Sequence, residues 1–170
     1  VATKDWEGYF PIRHEGGGNL DEGIVLRWLT NLLKSTKREV VFHNALYDVG
    51  WLRREGVIVH GKILDTIIAA PLLNENRFSY SLDNLGVEYC DERKDESLLK
   101  NAALAFGINP KSEMYKLHAK YVGPYGQQDA SLTLKLWNKL KIEIAQQGLE
   151  KIFEMESKLI PLLLEMRWRG

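Results

Sequence analysis

The chain has 170 residues, of which 45% are hydrophobic and 27% are charged, a composition typical of one globular domain. No apolar run approaches the roughly 18 residues of a spanning helix, so the sequence predicts no membrane segment. Its 23 basic and 23 acidic residues balance, which argues against a protein that grips long duplex DNA but allows a site for a few nucleotides. The single cysteine, Cys90, excludes an internal disulfide and thiolate-bound metal clusters, and it indicates a reducing compartment.

The N-terminal part of the chain predicts a strand, a loop and a helix. The stretch 8–12, with sequence Gly-Tyr-Phe-Pro-Ile, predicts a strand, and a glycine-rich loop follows at residues 16–18. Asn19 or Asp21 can cap the next helix, which carries leucines at helical spacing.

Two further strands are predicted, each followed by a helix. The β-branched run 39–43 predicts a buried strand, and residues 45–55 predict a helix that Gly56 ends. Residues 62–64 predict a third strand, after which Asp65 and Thr66 cap a helix that extends through Leu73.

The second half of the chain predicts mostly helices. Short helical pieces are expected between about residues 80 and 121, and Pro124 is predicted at the start of a longer helix that runs to about Gln147. Gly148 separates this helix from a last amphipathic one. The order of elements predicts the α/β class, with a sheet covered by helices and a helical C-terminal half.

Two short motifs carry the candidate chemistry. In the first, a strand leads into a helix that begins near Asn44, and Asp48 follows four residues later. In the second, Tyr125 and Asp129 are also four apart, so a helix places them on the same face. We expect Asp48 and Asp129 to converge at one edge of the sheet.

Carboxylates and a phenol at one place suit metal-dependent hydrolysis. Carboxylate oxygens are ligands that Mg²⁺ and Mn²⁺ prefer, and two such ions can activate a water and stabilise the leaving oxygen of a phosphodiester. A tyrosine can orient the attacking water without acting as the base. This chemistry uses about four carboxylates, and the motifs supply two of them, Asp48 and Asp129.

These motifs resemble those of the DEDD exonucleases. The pattern Asn44-x-x-Tyr47-Asp48 is similar to the second motif, and Tyr125-x-x-x-Asp129 to the third motif in its tyrosine branch. The histidine branch would carry histidine where this chain has Pro124. Residues after Asp129 resemble the polymerase-I-like, family A version, and the closing segment resembles the helix that leads from that exonuclease into the polymerase.

The resemblance implies a fold and a domain organisation. We expect a ribonuclease-H-like fold, in which helices flank a mixed central sheet whose first strand is missing from this fragment. Residues 1–148 would form the N-terminally truncated exonuclease domain. Residues 149–170 would form a helix connecting to a polymerase domain absent from this chain.

The resemblance also implies roles for the motif residues. Asp48 and Asp129 would bind two divalent metal ions, Mg²⁺ or Mn²⁺, and Tyr125 would orient the nucleophilic water. Asn44 would lie beside the 3′-terminal nucleotide. The protein would be a proofreading 3′→5′ DNA exonuclease that releases nucleoside monophosphates from a single-stranded or frayed 3′ end, next to the polymerase domain of the same polypeptide. A bacterial or phage-infected cytoplasm would be its location.

The first family motif, an Asp-x-Glu pair at the end of an opening strand, is not found in place. Asp5-Trp6-Glu7 has the required letters, but only four residues precede it and no β-branched strand leads into it. We predict a surface turn there rather than a metal site, with the missing carboxylates upstream of Val1. This fragment would then bind metal poorly and cleave slowly or not at all.

Two alternatives stay open on the sequence. A ribonuclease-D-like RNA 3′-exonuclease shares the tyrosine-type motif, and an inactive exonuclease-like domain could serve only to brace a polymerase. Retention of Asp48, Tyr125 and Asp129 speaks against the inactive scaffold. Asp65 is predicted to cap a helix, and His43 is predicted to be structural.

Overall fold

A small parallel sheet organises the part of the molecule that carries the first motif. The computed structural model describes residues 1–170. Strand β1 (Glu39–Phe42) pairs in parallel with β2 (Lys62–Asp65), and helix α2 (Ala45–Arg54) connects them as a βαβ unit. Phe42 lies opposite Asp65 in the register, so both strands end at the same edge. The residues after each strand are therefore brought together there.

Helices make up the rest of the protein. The remaining elements are α1 (Glu22–Leu33), α3 (Thr66–Leu73), α4 (Leu82–Cys90), α5 (Ser97–Phe106), a 3-10 turn (Met114–Lys116), α6 (Ala119–Gln146) and α7 (Glu150–Arg169). Side-chain oxygens begin three of them, because Asp21, Asp65 and Ser81 accept backbone N–H groups at the starts of α1, α3 and α4. None of these helices is both long enough and apolar enough to cross a membrane.

Helix α6 is the centre of the main hydrophobic core. Its buried residues Leu132, Leu136, Leu140 and Ile144 recur every four positions and therefore form one face. They pack with Leu64, Ala69, Ala70, Leu82, Leu85 and Phe153. Truncating one of these leucines to alanine typically costs about 2–5 kcal/mol of stability, so the core holds α6 firmly against α3 and α4.

A second core cluster fixes α2. Ala45 and Val49 of α2 pack with Ile63 of β2 and with Ile160 and Leu164 of α7. Because the buried positions of α2 face α7 and the sheet, the rest of the helix surface, with Tyr47 and Asp48, remains exposed. The last helix is thus packed against the element that carries the first motif.

The predicted strand at residues 8–12 is wrong. The only pairing in the N-terminal segment is one antiparallel bridge between Ala2 and Glu7. Pro11 has no N–H to donate to a neighbouring strand, and its carbonyl accepts instead from the N–H of Leu20 at 2.8 Å. The sheet consequently has two parallel strands, so it is smaller than predicted and parallel rather than mixed.

Side-chain contacts hold this extended segment in place. The Tyr9 ring lies against Gly123 and Gly126 of α6, close enough that an added Cβ at Gly126 would be 3.0 Å from the ring. His14 Nδ1 lies 2.9 Å from the carbonyl oxygen of Leu117, which can only accept, so Nδ1 donates and Nε2 accepts from the Tyr9 hydroxyl at 2.6 Å. The segment therefore packs on the same helix that carries the second motif.

The predicted position of Pro124 is also wrong. Helix α6 begins at Ala119, where the imidazole of His118 accepts from the N–H of Lys120, and Pro124 lies inside the helix. Proline removes one backbone bond of the helix, here to the carbonyl of Lys120. Pro124 is exposed, so water can hydrate the freed carbonyl, and the helix continues through this position.

Candidate active site

Asp65 builds the edge of the sheet at which the candidate site lies. Its carboxylate is 3% exposed and accepts three backbone N–H groups, those of Asn44 at 2.9 Å, Ala45 at 2.7 Å and Ile67 at 2.9 Å. One carboxylate thus fixes the starts of α2 and α3 together. The prediction that Asp65 caps a helix is confirmed, and with three donors bound its oxygens are engaged in holding the fold.

Asn44 occupies the junction between β1 and α2. Its φ of 76° and ψ of 60° place it in the left-handed region, which asparagine tolerates better than most residues. Its side chain makes no capping hydrogen bond to the helix, and the residue is exposed. The Asn44 amide is therefore available to a ligand at the mouth of the site.

Asp48 lies in the first turn of α2, one turn after Asn44. Desolvation by the surrounding protein, followed by the negative charges of Asp65 and Asp129, raises the pKa of Asp48 to about 6 from the usual 3.8, against a smaller opposing effect of its own backbone N–H. The residue as a whole is exposed, although its carboxyl group is largely desolvated. The structure thus brings Asp48 and Asp129 close enough for their charges to interact.

Tyr125 and Asp129 lie one turn apart on α6, as their spacing predicts. Burial, followed by the charge of Asp129, raises the pKa of Tyr125 above its usual value of 10, so the phenol keeps its proton at neutral pH. Asp129 has one buried oxygen, Oδ1, that accepts no hydrogen bond. A buried, unsatisfied carboxylate oxygen is unfavourable without a cation beside it.

Lys94 is the residue that sequence reasoning missed. It lies between α4 and α5 with its side chain 10% exposed, and its ammonium lies 2.7 Å from Asp129 Oδ1, off the direction of a hydrogen bond. The same ammonium donates to the Tyr125 hydroxyl at 3.3 Å and lies 4.4 Å from the centre of its ring. No motif in the sequence marks Lys94, because it reaches the site from a loop.

His43 lies beside the same cluster. Its Nδ1 lies 2.8 Å from the Thr66 hydroxyl, which itself donates to the carbonyl of Phe42. Burial lowers the pKa of His43, an effect that the charges of Asp65 and Asp129 oppose and that of Lys94 assists. His43 is half-buried and hydrogen-bonded, which agrees with its predicted structural role.

Asp5-Trp6-Glu7 forms an exposed turn, as predicted. The N–H of Thr3 donates to the carbonyl of Trp6 at 2.6 Å, and the N–H of Gly8 donates to that of Val1 at 2.9 Å. Both acidic residues are exposed. They line a shallow cavity of about 510 Å³ beside Ser131 and Lys135 of α6, and that cavity contains none of the four predicted site residues.

The side chains of the site supply some of the ligands that a divalent cation needs. Asp48 and Asp129 offer hard oxygen ligands, and a cation beside Asp48 would favour its ionised form, which its surroundings disfavour. No group of three or more His, Cys, Asp or Glu side chains is arranged to hold a metal ion. The residues described here thus supply only part of a ligand set.

Comparison with known proteins identifies the family. Residues 7–145 match the family described as 3′-5′ exonuclease. A DNA-directed DNA polymerase of Pseudomonas phage M6 is 39% identical over 96% of this chain and 25% of its own length. The DNA polymerase DpoZ of Vibrio phage phiVC8 is 30% identical over 100% of this chain and 29% of its own length. A DNA polymerase I of Treponema pallidum is 29% identical over 86% of this chain and 14% of its own length.

Solved structures share the fold at low sequence identity. A structure described as the apo form of the nuclease has a TM-score of 0.68 and 16% identity, covering 84% of this chain and 64% of that chain. NrnC of Brucella melitensis has a TM-score of 0.66 and 19% identity over the same shares. This chain spans about a quarter of the length of the phage M6 and phiVC8 polymerases. It belongs to the 3′–5′ exonuclease family related to family A DNA polymerases.

Proposed function

We propose that this chain is the proofreading 3′→5′ exonuclease part of a DNA polymerase. It removes the terminal nucleotide of a single-stranded or frayed DNA 3′ end and releases a nucleoside monophosphate. Its family membership and the DNA polymerases to which it is similar support this proposal. Residues 149–170, which include α7, are proposed to connect residues 1–148 to the polymerase domain.

One observation carries the proposal. Asp48 and Asp129 come from different helices, yet the charge of Asp129 contributes to the raised pKa of Asp48. A carboxyl group that is desolvated and lies near two other acids destabilises the fold when it ionises, unless a cation binds there. Shifts of this kind concentrate at functional sites, which favours an active site over a scaffold.

We propose that Asp48 and Asp129 hold two divalent ions, Mg²⁺ or Mn²⁺, together with carboxylates upstream of Val1. When bound, such ions supply charge that activates a water and stabilises the leaving 3′ oxygen. Deprotonated carboxylates bind metal, so metal binding would return the pKa of Asp48 toward its ordinary range. By holding these ions, Asp48 and Asp129 would position the scissile phosphate.

Tyr125 is proposed to orient the attacking water. Its oxygen accepts a hydrogen bond from the Lys94 ammonium at 3.3 Å, so its own proton is free to be donated. The raised pKa keeps that proton in place at neutral pH. Tyr125 therefore positions a water and does not act as a base.

Asn44 is proposed to contact the 3′-terminal nucleotide. It is exposed one turn before Asp48, and its amide group is not used in capping α2. An amide offers both a donor and an acceptor, which suits the sugar or base of a terminal residue. A mispaired end costs less to unstack than a paired end, so the site would favour errors.

The proposal is tested by cleavage of a 3′-labelled single strand in Mg²⁺ by the parent polymerase, with this chain assayed in parallel. Asp48→Ala and Asp129→Ala in the polymerase should each slow cleavage on the order of a thousandfold or more, because each removes a metal ligand. Glu154→Ala, an exposed acid of α7, is the control and should cleave normally. Circular dichroism checks that each variant is folded.

Two outcomes would contradict the proposal. Full activity in either aspartate variant removes that residue from the site. Faster cleavage of an RNA strand than of the matched DNA strand would favour the ribonuclease-D-like alternative over a proofreading enzyme.

A further inference from the structure

The Lys94 ammonium is a buried cation in a site that otherwise collects negative charge. It contacts Asp129 Oδ1 at 2.7 Å and the Tyr125 hydroxyl at 3.3 Å, and its side chain is only 10% exposed. Lysine side chains are rarely buried to this extent without a partner. The contact with Asp129 is therefore what keeps this charge inside the protein.

The loop that carries Lys94 is fixed from two sides. On one side, the N–H of Lys94 donates to Asp83 of α4 at 3.0 Å. On the other side, the Gln128 side chain accepts from the N–H of Asp95 at 2.7 Å and donates to the carbonyl of Arg93 at 3.2 Å. Lys135 also donates to Glu92 at 2.6 Å. Gln128 and Lys135 belong to α6, the helix that carries Asp129. A loop held in this way presents its side chain in a preformed position.

Asp129 Oδ1 cannot bind an ammonium and a metal ion equally well at the same time. It has no hydrogen-bond partner, so the Lys94 ammonium supplies the positive charge at that atom. A metal ion on the same oxygen would bring two positive charges within a few ångströms of each other, where like charges repel strongly in a partly buried site. Metal and ammonium therefore compete for this oxygen.

A second acid, Glu96, lies close enough to the ammonium to pair with it. Glu96 Oε1 is 3.9 Å from Lys94 Nζ, and the other oxygen of Glu96 pairs with Lys100 at 2.9 Å. Lysine has a flexible stem, so a small rotation moves its charge from one carboxylate to another. Lys94 can leave Asp129 without leaving its charge unpaired.

We propose that Lys94 is a positioning residue that stands in for a divalent cation at Asp129 and leaves Oδ1 when metal binds. In the metal-free protein it holds Asp129 and Tyr125 in place, which prevents the acid from being buried unpaired. This inference rests on the proposed function, since it requires Asp129 to be a metal ligand.

The test measures Mn²⁺ binding to the parent polymerase by calorimetry, without any cleavage assay. Lys94→Met keeps the length of the side chain and removes its charge, so it should bind Mn²⁺ about tenfold more tightly, within the range of ordinary coupling factors. Lys94→Gln should tighten binding in the same direction, and it serves if the methionine variant does not fold. Lys158→Met, at an exposed lysine of α7, makes the same change in net charge and should bind as the unmodified polymerase does.

Asp129→Asn separates the failure of this inference from failure of the proposed site. If Asp129→Asn weakens Mn²⁺ binding but neither Lys94 variant strengthens it, Lys94 does not compete with metal and the inference is overturned. If Asp129→Asn binds Mn²⁺ as the unmodified polymerase does, the proposed metal site itself is wrong. No detectable binding in any of these proteins overturns both.

Discussion

Two carboxylates at one edge of the sheet have opposite surroundings. Asp65 is almost fully buried, and three backbone N–H groups engage its oxygens. Asp129 also has a buried oxygen, but that oxygen accepts no hydrogen bond and faces a lysine. A carboxylate whose hydrogen bonds are complete serves the fold, whereas one left incomplete is available for a ligand.

Both acids affect a third acid, Asp48. Desolvation raises the pKa of Asp48, and negative charge on both Asp65 and Asp129 raises it further. The structural acid thus makes the accessible acid harder to ionise, and a cation that binds Asp48 gains from relieving this repulsion. Substitutions at Asp65, at Asp48 and in the exposed N-terminal turn test this contrast.

The largest expected effect follows from Asp65→Ala. It leaves three N–H groups at the starts of α2 and α3 without their acceptor, so the free energy of unfolding should fall by about 3 kcal/mol. Urea denaturation of both proteins at pH 7 measures this. Asp129→Ala should lose less, since its carboxylate accepts no backbone N–H group and the ammonium of Lys94 can pair with Glu96 instead. Equal losses in the two variants would erase the distinction between the acids.

A smaller effect is expected in the pH dependence of stability at Asp48. The folded protein releases this proton near pH 6 and the unfolded chain near 3.8, so the folded state binds more protons between these values. Stability therefore declines as pH rises from about 4 to about 6, and the cost is complete above that range.

Asp48→Asn removes this titration, and the variant should gain stability relative to the unmodified protein as pH rises from 4 to 7. Urea denaturation at several pH values gives the difference. Glu113→Gln should show the opposite trend and lose stability relative to the unmodified protein as pH rises. The reason is that the N–H of Asn109 and the charge of Lys116 lower the pKa of Glu113. Parallel profiles for Asp48→Asn and the unmodified protein would show that Asp48 is not in an unfavourable environment.

The smallest effect is expected for the double variant Asp5→Asn with Glu7→Gln. Both acids lie in an exposed turn, where substitutions usually change free energies by no more than about 0.5 kcal/mol. Cleavage by the parent polymerase should therefore stay within about twofold of normal. A loss as large as that expected for Asp129→Ala would place this turn in the proposed metal site.

Local patterns predicted the residues whose positions depend on local geometry. The four-residue spacing placed Tyr125 and Asp129 on one helix face, and the sequence at the end of β2 identified Asp65 as a cap. Lys94 was out of reach because its contact with Asp129 joins a loop to a helix 35 residues away, through hydrogen bonds that no periodicity encodes.

The errors have similar causes. Residues 8–12 have the composition of a strand, but a strand also needs a partner with free backbone groups, and Tyr9 packs instead on glycines of α6. Pro124 is favoured at helix starts, yet the capping imidazole of His118 begins the helix five residues earlier. In both cases tertiary contacts outweighed the local preference.

The packing of Tyr9 on α6 makes the first segment of the chain a determinant of the geometry of the site. Gly123 and Gly126, which contact the Tyr9 ring, flank Tyr125 on both sides along the helix. A side chain added at Gly126 would displace that ring. The displacement would weaken the hydrogen bond from Tyr9 to His14 and, with it, the hydrogen bond from His14 to the carbonyl of Leu117 just before α6. Residues outside the proposed chemistry thereby help to fix the position of Tyr125 on α6.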